Sequence, residues 1–186
     1  MKNTIYNLKR FKDNKIIIHH HLGLGDTIIC NGLVNYLTSE KNLTCYLPVK
    51  EHYLKMIEFL YRDNKNIVLF PVKNETRDQD VEDFSSSNKV KILKIGFKKV
   101  KKDKFNAYFY KQLNIPYEYS FNYFYIPTDK VREQQLKKHL FEFYNIKSKK
   151  YILVHSESSY QQYDLNIESD LDKILIDKES DLHNNL

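Results

Sequence analysis

A chain of 186 residues, 41% of them hydrophobic and 14% aromatic, can bury one domain, or one domain and the start of another, but not two complete α/β lobes. That composition excludes a disordered chain, and two cysteines outside any C-x-x-C pattern, Cys30 and Cys45, exclude a disulfide framework and a structural zinc site. The net charge of +6 would suit a polyanion, but Lys, Asn, Ile, Tyr and Phe are all products of AT-rich codons, so charge alone selects no partner.

Residues 1–14 read as an N-terminal extension with no apolar signal core. From Lys15 the run Lys-Ile-Ile-Ile-His-His-His ends in a glycine turn, the pattern of a buried parallel strand. Ile28, Ile29, Leu33, Val34 and Leu37 then recur at helical spacing, which makes Asp26 a first-turn or cap residue of a helix reaching about Thr38. Residues 43–47 form a second strand, and Pro48 is placed to open a helix with Val49, Tyr53, Met56, Ile57 and Leu60 on its apolar face. A third strand covers 66–72, while the polar stretch 74–88 reads as a weak helix or a surface excursion. A fourth strand covers 90–97, the lysines at 98, 99, 101, 102 and 104 mark a basic turn, and 105–113 are helical. Strands alternating with helices across short connections predict an α/β fold: a doubly wound, mostly parallel, Rossmann-like sheet that binds ligands outside its carboxyl edge.

Beyond Pro116 the aromatics Tyr117, Tyr119, Phe121, Tyr123 and Tyr125 alternate at period two, which would line one face of an extended crossover segment. Thr128 and Asp129 cap a helix carrying Val131, Leu136, Leu140, Phe143 and Tyr144, and this crossover helix closes a first lobe over 15–147. A fresh apolar strand, Tyr151-Ile-Leu-Val-His155, then starts a second lobe over 148–186, too short to be completed. No stretch approaches the ~20 apolar residues of a bilayer span, so a cytoplasmic protein with at most peripheral membrane contact is expected.

The strongest chemical signal is His21-Leu-Gly-Leu-Gly-Asp-Thr27. Two glycines one residue apart turn the chain sharply out of a strand and let a ligand approach the backbone. The third glycine of a dinucleotide fingerprint is replaced by Ile28, and Asp26 would repel a phosphate set on the helix start, so neither a dinucleotide nor a phosphate cradle is indicated. Asp26 is instead suited to general-base work on a hydroxyl, beside the simpler role of helix cap. Of the three histidines, His19 and His21 share one strand face and His20 points to the other; two ligands do not make a metal site, and His21 at the strand end is placed to touch substrate. His155, Ser156, Glu157 and Ser158 form a polar cluster after the later strand, without the glycines of a nucleophile elbow.

Residues 16–37, with His-Leu-Gly-Leu-Gly-Asp-Thr-Ile-Ile-Cys-Asn-Gly at their centre, resemble the first strand, loop and helix of GT-B glycosyltransferases related to the heptosyltransferases. Tyr151-Ile-Leu-Val-His-Ser-Glu-Ser is similar to the first strand and loop of that family's C-terminal lobe. The resemblance implies a GT-B N-terminal lobe followed by an incomplete second lobe. It gives Asp26 the role of catalytic base, with His21, Gly23, Gly25 and Thr27 shaping the acceptor cleft and His155 and Ser156 on the nucleotide-sugar side. It implies a nucleotide-sugar as substrate, a glycan or glycolipid as acceptor, and no cofactor or metal. A non-catalytic carbohydrate- or partner-binding module is the alternative. The lysine run could meet phosphates or an anionic membrane surface, but no motif selects a nucleic acid.

Overall fold

The structure, a computed structural model, describes residues 3–9, 11–97, 105–157 and 161–176. The chain divides into two compact units, Met1–Pro127 and Thr128–Leu186. The first unit runs β1 (Thr4–Ile5), β2 (Lys15–His19), α1 (Leu24–Ser39), β3 (Thr44–Lys50), α2 (Leu54–Tyr61), β4 (Ile67–Val72), α3 (Arg77–Asn88), β5 (Lys91–Lys94), α4 (Phe105–Gln112) and α5 (Tyr119–Asn122). Its five strands form one sheet in the order β1-β5-β2-β3-β4, with every pair parallel, a Rossmann-like α/β arrangement. The chain steps outward from β2 to β3 and β4, then crosses back to lay β5 on the other side of β2. The order therefore reverses between β5 and β2, where open parallel sheets leave a crevice at their carboxyl edge.

The β-branched run after Lys15 makes β2 the middle strand because Ile16, Ile17 and Ile18 are each fully buried, worth about 2 kcal/mol apiece. Ile16 and Ile18 join Cys30, Leu33, Val34 and Leu37 of α1, Ile57 and Leu60 of α2, and Phe109 and Tyr110 of α4 in the larger core. Ile17 faces the other way, with Ile92, Phe70, Val72 and Val81 of α3. The polar stretch after β4 is thus a helix, held by Val81 and by Ser85, whose hydroxyl donates to the Val90 carbonyl at 2.6 Å.

Four sequence expectations are corrected. Pro48 does not start a helix: it lies within β3, opposite Phe70, beyond Tyr46 where pairing with β2 ends, and a strand paired on one side tolerates proline. The helix begins at Leu54, after a 3₁₀ turn, Glu51–Tyr53. Within 1–14, Thr4–Ile5 adds an edge strand beside β5. The alternating aromatics are not extended, because Tyr119–Asn122 is a short helix whose neighbours Tyr119 and Tyr123 both pack on Tyr36 of α1, with ring centroids 4.8 and 5.2 Å away. The strand expected over 90–97 closes at Lys94, since Gly96 turns the chain at φ 82°. The lysine turn at 98–104 lies outside the described residues.

The second unit contains α6 (Lys130–Phe143), β6 (Tyr151–Val154) and β7 (Asp172–Leu175). Asp129 caps α6 as expected, accepting from the Arg132 N–H at 3.1 Å. The helix expected to close the first lobe therefore lies in this unit, where Phe141 packs edge-on to Tyr151. The two strands are parallel, and Val154 and Ile174 are buried between them and their surroundings. Among the described residues, no helix is long and apolar enough to cross a membrane.

Candidate functional site

β2 ends in His19, the loop after it continues with His20 and His21 at the carboxyl edge of the sheet, and each histidine is fixed differently. His20, buried, accepts the Leu22 N–H on Nδ1 at 3.0 Å, so it is unprotonated there; burial, reinforced by His19 and His21, lowers its pKa to about 3. That bond closes a tight turn in which Leu22 takes a left-handed φ of 61°, a conformation costly for a branched side chain. The cost is offset because Leu22 is buried in the core on the α3 side. His21 Nε2 donates to the Gly96 carbonyl at 3.0 Å, tying the loop after β2 to the loop after β5. Its ring sits among Phe97, Phe105 and Phe109, at centroid distances of 4.7, 6.3 and 6.2 Å. A Cβ on Gly96 would come within 2.9 Å of His21 Nε2 and 2.5 Å of Phe109, so only glycine fits that turn.

The loop then enters α1. Gly23, not Asp26, is the N-cap, with no side-chain hydrogen bond; Thr27 closes the first turn, its N–H and its hydroxyl both donating to the Gly23 carbonyl at 3.0 and 3.1 Å. Asp26, in the first turn, caps nothing, and among the described residues its carboxylate accepts no hydrogen bond and forms no ion pair. It folds back over the loop, so that a Cβ on Gly23 would lie 2.8 Å from Oδ2, whereas Gly25 faces open space. Cys30, one turn on, is an inert neighbour: burial, then the Asp26 charge, pushes its thiol well above the ordinary range.

The rest of α1 is clamped from its far side. The buried Tyr110 hydroxyl sits inside the helix ladder, donating to the Ile29 carbonyl at 2.8 Å and accepting from the Leu33 N–H at 3.0 Å. Asn31 pairs with the Tyr125 backbone in both directions, at 3.1 and 2.9 Å. Beside Ile28 and Ile29 of α1 lies an apolar groove of about 330 Å³, lined also by Asn106, Tyr117, Ser120, Phe121 and Phe124.

On the α3 side of the same edge stands a charged cluster that sequence reasoning missed. Lys94 ends β5 at an inward position, its side chain only 13% exposed, with Nζ 3.5 Å from Asp78 Oδ1 and 5.3 Å from the Phe97 ring centroid. Asp78 also receives His19 Nε2 at 3.6 Å and Arg77 Nε at 3.9 Å. His19 is buried, and desolvation followed by the Lys94 charge lowers its pKa to about 4 against the pull of Asp78. Its ring lies 5.1 Å from Phe97, so Phe97 joins this cluster to His21. The one available signal was period two: Lys94 follows Ile92 on a face where an apolar residue is expected.

His155 and Ser156 lie at the carboxyl end of β6 in the second unit, His155 exposed and the Ser156 carbonyl accepting from the Tyr163 N–H at 2.7 Å. Ser158 lies outside the described residues. The structure brings His21, Gly23, Gly25, Asp26 and Thr27 together in the first unit. No group of three or more His, Cys, Asp or Glu suited to a metal is assembled among the described residues. No family model, curated protein or solved structure matches the chain, so what the site can do rests on its geometry.

Proposed function

We propose that the chain is a glycosyltransferase of the GT-B, heptosyltransferase-like kind, in which the first unit binds the acceptor and Asp26 is the catalytic base. The observation that carries this reading is the Asp26 carboxylate, which among the described residues has no hydrogen bond or ion pair, on a helix start without a side-chain cap at the carboxyl edge of a parallel sheet. Helix capping would have explained the residue, and its carboxylate does not cap. Asp26 takes the proton of an acceptor hydroxyl, the oxygen bonds to the anomeric carbon of the donor sugar, and the nucleoside diphosphate leaves with the electrons of the broken glycosyl–phosphate bond. Gly25 leaves room for the acceptor over the helix start, Thr27 holds the turn, and His21 fixes the loop. His155 and Ser156 serve the nucleotide-sugar side. The protein works in the cytoplasm without a cofactor, touching a membrane only where its acceptor is a glycolipid.

The second reading is a binding module without turnover, favoured by the apolar groove beside Ile28 and Ile29, which would hold part of a carbohydrate conjugate or a partner. Release of nucleoside diphosphate from nucleotide-sugars, measured with a panel of sugar acceptors, separates them. Acceptor-dependent release supports the transferase; acceptor binding by calorimetry with no release at any donor supports the module.

A further inference from the structure

Lys94 carries its charge into a nearly closed position. Its ammonium has three donors, yet among the described residues it makes no hydrogen bond, meeting only the Asp78 carboxylate in a 3.5 Å ion pair and the Phe97 ring face at 5.3 Å. Burying a charge in that state is costly unless something further satisfies it. Arg77 stands across the same carboxylate, giving two permanent cations for one anion. His19, 1% exposed, adds an independent sign: with Nε2 toward Asp78, its Nδ1 is buried and, among the described residues, has no hydrogen-bond partner. Buried polar atoms in native proteins are nearly always paired, so a bare one on a histidine that shares Asp78 with Lys94 marks a place for a ligand. The location agrees, since β5 and β2 flank the reversal of strand order.

We propose that Lys94, Arg77 and His19 form a phosphate-binding subsite on the α3 side of the sheet's carboxyl edge. A phosphate offers oxygens to the Lys94 and Arg77 donors, which form their strongest hydrogen bonds with anions, and its own P–OH is a donor for His19 Nδ1. A carboxylate offers the oxygens but no donor. Asp78 occupies part of this space as an internal carboxylate on the exposed first turn of α3, so phosphate competes with it. The subsite involves no atom of Asp26 and stands whether or not Asp26 acts as a base.

The test is titration of the whole chain with inorganic phosphate against sodium chloride of equal ionic strength, followed by amide and imidazole NMR signals. Phosphate is expected to shift the His19 and Lys94 signals saturably, and acetate to do so at least tenfold more weakly. Lys94→Gln and Arg77→Gln should each weaken binding roughly tenfold, Asp78→Asn should tighten it, and Lys91→Gln, whose lysine pairs with Asp13 at 2.9 Å, should leave it unchanged. Arg77 is partly exposed, so its variant keeps the test decisive if Lys94→Gln does not fold. No saturable shift, a shift indifferent to both cationic variants, or an equal response to acetate would overturn the proposal.

Discussion

Gly96 and Leu22 sit in left-handed backbone on neighbouring loops, and they answer the same demand by different means. Leu22 carries a side chain that the core accepts, whereas at Gly96 any side chain collides with Phe109 and His21. Gly96→Ala should therefore cost about 2–4 kcal/mol, read as a lower urea midpoint with an unchanged slope. It should also release His21 from the Gly96 carbonyl, visible as a changed His21 imidazole signal. At this scale the loop from His21 to Thr27 was legible because its residues are contiguous and its glycines announce a turn. The Lys94 cluster was not, because its members come from β2, α3 and β5 and meet only through the sheet order. Nor was the difference between a capping and an uncommitted Asp26, which depends on Gly23 having taken the N-cap.

Helix α1 is the element on which the site depends, and the Tyr110 side chain and the Tyr125 backbone, both later in the chain, hold it. Asn31 satisfies the Tyr125 backbone in both directions, so Asn31→Ala leaves a part-buried N–H and carbonyl unpaired. The expected cost is about 1–3 kcal/mol, with faster hydrogen exchange at the Tyr125 amide; an unchanged exchange rate would refute the clamp. Helices and strands with strong local patterns, β2, α1, β4 and α4, were legible from periodicity alone. Pro48 misled because a proline after an apolar run looks like a helix start, while its tolerance in β3 depends on where β2 stops pairing. The aromatic run misled because alternation describes spacing, and here the tyrosines are gathered by packing on Tyr36. Strand β7 escaped notice among polar residues, its place set by pairing with β6.

For the molecule as a whole, the neutral histidines make stability depend on pH. In the folded chain His19 and His20 hold pKa values near 4 and 3, below the ordinary 6.5, so the unfolded chain binds protons first. Their contribution is complete above about pH 6.5 and is lost as pH falls toward 4 and 3, at roughly 1 kcal/mol per pH unit for each. Urea midpoints at pH 7.5, 6 and 5 should decline in that order, and a flat profile would show that neither histidine is held neutral. The same edge of the sheet on which these histidines lie is where the central claim is most directly tested. That measurement compares acceptor-dependent release of nucleoside diphosphate by the native chain and by Asp26→Asn, which keeps shape and removes the base. The account predicts that turnover falls about 10²–10⁴-fold while donor affinity stays the same. Turnover within twofold of native would contradict it.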